Sequence, residues 1–142
     1  IVCDEKLRRT ISKNQVKAVF GDSLAVEADI STASILQEVL ERWELFCIIP
    51  AKASHGTSQS FIQSWKDVLG ERVISLEDAS TVCEVIASTI GVLEDNLDLD
   101  SVANTLQNAG VSASSAASVS RSLAVLGNRE VTKLSGTGLA SL

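Results

Sequence analysis

Aromatic residues make up only 4% of the 142 positions, so any core has to be aliphatic, built from Val, Ile, Leu and Ala. Proline occurs once, as Pro50, and so few breakers favour long uninterrupted elements over a loop-rich fold. Basic charge is also short: 12 Lys and Arg face 18 Asp and Glu, a formal net charge of −6. An acidic surface repels phosphate backbones, and no stretch gathers enough Lys or Arg to reverse that, so nucleic-acid binding is not expected. No apolar run approaches the roughly 20 residues that cross a bilayer, and no charged segment followed by an apolar one marks a secretory leader. The three cysteines, Cys3, Cys47 and Cys83, stand singly in apolar runs with no metal-type pairing. Free cysteine behaves as a small hydrophobe, so buried reduced thiols are expected. A disulfide framework needs an even, closely spaced set, and the expected compartment is therefore reducing and cytoplasmic.

What is present is ordinary for a globular chain, with 45% hydrophobic and 21% charged residues. The length fits one domain with a short appendage. The chain opens on Ile1-Val2-Cys3, a short apolar run stopping at Asp4-Glu5, which reads as the end of a buried strand in the C-terminal part of a longer protein. Ser12-Lys13-Asn14-Gln15 has the form of a capping box, and Val16, Val19 and Phe20 keep one face of the following helix apolar until Gly21. Ser31 is placed to cap a second helix, with Ile35, Leu36, Val39, Leu40 and Trp43 along one stripe.

Leu45 to Ile49 is apolar at every position. A strand of that kind needs cover on both faces, as in parallel sheets with helices on each side, and Pro50 ends it. After a small-residue loop, Ala53 to Ser58, comes a helical stripe of Phe61, Ile62, Trp65, Val68 and Leu69, stopped by Gly70. Val73 to Leu76 is the next strand, and Asp78 or Ser80 caps a helix carrying Val82, Val85, Ile86, Thr89, Ile90 and Leu93. Strands alternating with helices predict a partial doubly wound, Rossmann-like parallel α/β sheet with helices on both faces. Both tryptophans, lying on stripes, are expected in the core. From Glu94 to Asp100 the chain is acidic, a linker in which Asp100 caps a short helix carrying Val102 and Leu106. A Ser- and Ala-rich helix from about Ser112 to Leu126 follows, then a tail from 128 to 142. The expected division is residues 1–93 for the α/β part, 94–127 for linker and helical appendage, and 128–142 for a flexible tail. A sheet lacking half its strands has an open edge, which invites self-association of the isolated stretch.

Few constellations suggest chemistry. Asp4 ends the first strand, and open α/β sheets place their ligands at the carboxyl ends of their strands. A carboxylate there suits a hard cation such as Mg²⁺; the plainer alternative is a solvated loop acid. Lys6 to Arg9 is a small basic cluster read as a solvated face. His55 is the only histidine; Ser54-His55-Gly56 follows a central strand, near any cleft, but no Gly-x-Ser-x-Gly elbow accompanies it. A lining or structural loop is favoured over catalysis. Glu94 to Asp100 lacks the central Gly and terminal Glu of an EF-hand loop, and Gly136 and Gly138 follow no strand.

The order of these segments resembles the second half of a von Willebrand factor A (VWA) domain, in its intracellular bacterial branch. Ile1-Val2-Cys3-Asp4-Glu5 is similar to the family strand ending in a Gly-Asp-Glu type motif, with Cys3 where Gly is usual. Val19 to Asp22 with the capped helix after Ile30, Phe46 to Pro50 with Ser54-His55-Gly56, Trp65 to Gly70, Val73 to Asp78 and Val82 to Ala87 resemble the succeeding segments, over roughly Ile1 to Leu93. The resemblance implies a non-enzymatic protein-interaction module that binds a protein partner through a metal-ion-dependent adhesion site, with Asp4 as one Mg²⁺ ligand. The family's Asp-x-Ser-x-Ser motif is missing; Asp29 to Ala33 comes nearest, with Ala33 in place of the second Ser. Mg²⁺ is therefore expected only with ligands from upstream of Ile1. A flavodoxin-like or hydrolase-type enzyme using His55 or Asp4, and a structural VWA domain without metal, are the alternatives.

Overall fold

The computed structural model describes residues 1–24 and 26–128, so the tail and its two glycines lie almost wholly outside the described residues. The first third of the chain carries a two-residue strand β1 (Thr10–Ile11), helix α1 (Lys13–Phe20), strand β2 (Ile30–Ser31) and helix α2 (Thr32–Leu40). The capping box forms as the sequence predicts: Ser12 Oγ accepts the Gln15 amide, and Gln15 Oε1 accepts the Ser12 amide. Gly21 terminates α1 at φ 63°, a conformation that costs glycine little. β1 and β2 pair antiparallel, Thr10 with Ser31 and Ile11 with Ile30. Two-residue ladders leave no periodicity in a sequence, and this one is not expected from it.

The remaining elements follow the expected alternation: β3 (Cys47–Pro50), α3 (Gln59–Leu69), β4 (Val73–Leu76), α4 (Val82–Leu93), α5 (Val102–Asn108) and α6 (Ala113–Leu123). β3 and β4 are parallel, with Cys47 opposite Val73 through to Pro50 opposite Leu76. The opening segment lies on the other side of β3, also parallel: Val2 bridges Ile48, the Cys3 amide donates to the Ile48 carbonyl, and the Ile48 amide donates to the Ile1 carbonyl. Ile1 and Val2 are exposed, so this segment is an edge and not the buried strand end that its apolar run suggests. The chain is thus a mixed α/β structure containing one parallel strand pair, with six α-helices among the described residues.

The continuous apolar run is explained by the packing on its two sides. Phe46 and Ile48, with Ile74 and Leu76, face a cluster completed by Val85 of α4, Val102 of α5, and Val119 and Leu123 of α6. Cys47 and Ile49, with Val73, face the opposite cluster, which holds Phe61, Trp65 and Leu69 of α3. Leu36 and Leu40 of α2 pack against that second cluster. The Ser- and Ala-rich α6 therefore docks on the sheet: Ala116, Val119 and Leu123 are fully buried, and small side chains such as Ser118 and Ser122 allow its close approach.

Two burial expectations fail. Trp43 is 71% exposed, because α2 stops at Leu40 and the chain turns, with the Arg42 and Trp43 amides both bonded to the Val39 carbonyl; a stripe extrapolated past the stop points the ring into solvent. Cys83 is exposed on α4, Cys3 is half-buried, and only Cys47 is buried as expected of all three. One cap also shifts: the 3₁₀ turn Leu99–Ser101 ahead of α5 is capped by Asp98, whose side chain accepts the Asp100 amide.

Candidate functional site

Because the opening segment, β3 and β4 all run in one direction, their carboxyl ends share a rim. Asp4 leaves the first, the loop from Ala51 to Thr57 leaves β3, and Glu77-Asp78 leaves β4. Asp4 is exposed, and no described residue forms a hydrogen bond or ion pair with it. Its position is fixed by its neighbours: Trp65 Nε1 donates to the Glu5 carbonyl at 3.0 Å, tying the strand exit to α3.

The loop after β3 is held against the strand it leaves. The Ala53 amide donates to the Pro50 carbonyl, the Gly56 amide to the Ala53 carbonyl, and the Ser58 amide to the His55 carbonyl. Gly56 is buried, and a Cβ there would overlap the Pro50 carbonyl oxygen and stand 2.7 Å from the Ala51 carbonyl group. Only glycine allows that approach of backbone to backbone. His55 projects from this loop, exposed, with its ring 6.1 Å from that of Phe61 and tilted by 42°. Among the described residues, neither Ser54 nor Asp4 is hydrogen-bonded to the His55 side chain.

On the β4 side, Asp78 Oδ1 accepts both the amide and the hydroxyl of Ser80, at 3.0 and 2.8 Å. Those bonds, aided by the nearby Lys52 ammonium, hold the Asp78 carboxyl below its ordinary value. Glu77 receives Arg121 from α6 at 2.9 Å, an exposed pair across the rim. Beneath the rim lies an unexpected contact: Cys3 Sγ and Cys47 Sγ are 2.9 Å apart. Burial, with the Cys3 thiol adding to it, pushes the Cys47 thiol above its ordinary value.

The residues singled out in the sequence are thus partly united. Asp4 and the Ser54-His55-Gly56 loop share the rim, whereas Asp29 does something else: its Oδ1 accepts the Lys13 amide at 3.1 Å, adding a second cap to α1. Lys6, Arg8 and Arg9 are exposed as expected of a solvated face, while Leu7 between them packs into the α3 cluster. Among the described residues no group of three or more His, Cys, Asp or Glu side chains converges to hold a metal ion. Asp4 is the one rim residue that the resemblance assigns to Mg²⁺, an ion that takes several oxygen ligands. The sequence reading passed over Gly56 as a structural constraint and over the Cys3–Cys47 pair. Gly56 left a signal in its place between two small-residue turns, whereas the pair spans 44 positions and only the parallel register joins it. No protein-family model, curated protein or solved structure matches this chain.

Proposed function

We propose that the chain forms part of a VWA-like protein-interaction module whose partner contact is the carboxyl rim carrying Asp4 and the Ala51–Thr57 loop. On this reading the parallel segments belong to a doubly wound, Rossmann-like sheet, and Asp4 contributes one ligand to a Mg²⁺ whose other ligands come from outside the described residues. The observation that supports it is directional: the opening segment runs parallel to β3, so Asp4 and the loop emerge at one edge, where open α/β sheets receive ligands. An antiparallel pairing would have put them at opposite ends.

Comparative affinity capture tests it, with wild-type, Asp4→Ala and His55→Ala chains as bait and Glu71→Ala, at the amino end of β4, as control. Asp4 and His55 are exposed, so neither change should disturb folding. A protein retained by wild type and Glu71→Ala, and lost from Asp4→Ala, is the expected result. Identical captured sets for wild type and both rim variants overturn the reading. Chelation of a longer bait that carries those other ligands separates the metal from the contact: loss of capture in EDTA, restored by Mg²⁺, supports the cation, and capture indifferent to chelation removes it. For the chain alone the melting temperature is expected to stay constant under Mg²⁺, because one exposed carboxylate cannot displace the ion's water.

A further inference from the structure

We propose that Cys3 and Cys47 form a reversible disulfide, a redox clasp between the edge segment and β3, formed at the expense of a peroxide and released by a dithiol. The two side chains share one face of the sheet, on adjacent parallel strands, with their sulfurs 2.9 Å apart and no group between them. The other ties on the edge segment are two backbone bonds with Ile48, one from the Ile1 nitrogen to the Phe46 carbonyl, and the Trp65 indole bond to the Glu5 carbonyl at the strand exit, none of them covalent. A covalent link here fastens the strand that delivers Asp4 to the rim.

The two thiols have unequal access, and this sets the order of events. Cys47 is completely buried under α3, and Cys3 is half-buried at the edge. Cys47 has no contact with solvent, so Cys3 is the sulfur that meets a solvent oxidant, and a thiol reacts there through its thiolate form. It attacks one peroxide oxygen, the O–O bond breaks, and hydroxide leaves, giving a sulfenic acid at Cys3 and, after proton transfer, water. The Cys47 sulfur then attacks the Cys3 sulfur, the S–O bond breaks, and a second water leaves with the Cys47 proton. Two thiols and one hydrogen peroxide become one disulfide and two waters. A dithiol reverses it by two exchanges, ending oxidised itself. Cys83, exposed on the far cluster's helix, has no such partner and stays outside the clasp.

The experiment is a peroxide titration of the Cys83→Ser chain, followed by intact mass, non-reducing peptide mapping and thermal melting. The expected product has lost two hydrogens, joins the Cys3 and Cys47 peptides, and reverts with dithiothreitol. Its melting temperature rises on the order of 10 °C, because the link closes a long loop in the unfolded chain. In the Cys3→Ser, Cys83→Ser chain, Cys47 should remain unoxidised over the same range. Addition of two oxygens at Cys3, or two thiols that still alkylate fully after denaturation, overturns the proposal. So does equally fast oxidation of Cys47 when Cys3 is absent, which would remove Cys3 as the point of entry.

Discussion

Gly56 carries more of the rim's shape than any charged residue on it. The loop it belongs to turns back on β3 so tightly that the Pro50 carbonyl and the Ala51 peptide fill the space a side chain would need. The colliding atoms are backbone, which cannot rotate away as a side-chain tip does. Gly56→Ala is therefore expected to destabilise the chain by about 1–3 kcal/mol, the range for overpacking a filled site, and to loosen the amide bonds of residues 53 to 58. Chemical denaturation measures the first effect and hydrogen exchange the second; an unchanged unfolding midpoint would show that the loop can lift off the strand without cost. Residue-level reading succeeded where the reason was local and failed where it was not. Gly70, at φ 56° after α3, does what its position predicts. Trp65 and Trp43 occupy similar stripes, yet one is 7% exposed and the other 71%. The difference lies in the helix stop at Leu40, for which no glycine or proline gives notice.

At the scale of elements, the strands and helices behind the rim were legible because each announces its ends. The capping box at Ser12 and the cap at Asp78 are both used, since a short polar side chain satisfies amides that a helix start leaves open, whereas Ser31, expected to cap α2, stands at its start without a side-chain hydrogen bond. What could not be read is contact at a distance: the β1–β2 pair, and the joining of Cys3 to Cys47 through register. The Asp78 cap has a consequence for pH. Its carboxyl is held below its ordinary value by Ser80 in the folded chain, so the folded state binds fewer protons than the unfolded one near that range. The resulting stabilisation is complete above the ordinary aspartate pKa and disappears as pH falls through the lower, folded value. Asp78→Asn keeps a capping oxygen and removes the charge. Wild type should exceed it in urea midpoint at neutral pH, with the gap closing in acid. Because Asp78 is solvent-accessible, the effect should be small and salt-sensitive; a gap that widens in acid would contradict the assignment.

For the isolated chain as a whole, the sheet is covered on its faces, and the opening segment forms one of its edges. The Ile1 carbonyl and the Cys3 amide bond to Ile48, which turns the amide and carbonyl of Val2 outward, where no described residue meets them. Beside that edge runs a groove of about 440 Å³ lined by Ile1, Val2, Phe46, Ile86, Ile90 and Leu93. Ile86 and Ile90 on α4 are 41% and 55% exposed, and Ile1 and Val2 are more than half exposed. An unpaired strand next to exposed isoleucines is a template for another strand, and a second copy brings the same two features. Two-fold pairing of the edges, antiparallel, would satisfy both Val2 groups and close the two grooves on each other. Electrostatics oppose it: Glu94 flanks the groove, where Glu44 is paired with Arg72, and each chain carries −6. Association should accordingly be weak at low ionic strength and tighten as salt screens the acidic rims. Sedimentation velocity over a range of protein and salt concentrations reads this directly. Ile90→Glu, which adds a charge to the apolar groove, should keep the chain monomeric throughout. Persistent monomers of the wild type at high salt, or dimers that Ile90→Glu leaves intact, would show that this edge does not pair with itself.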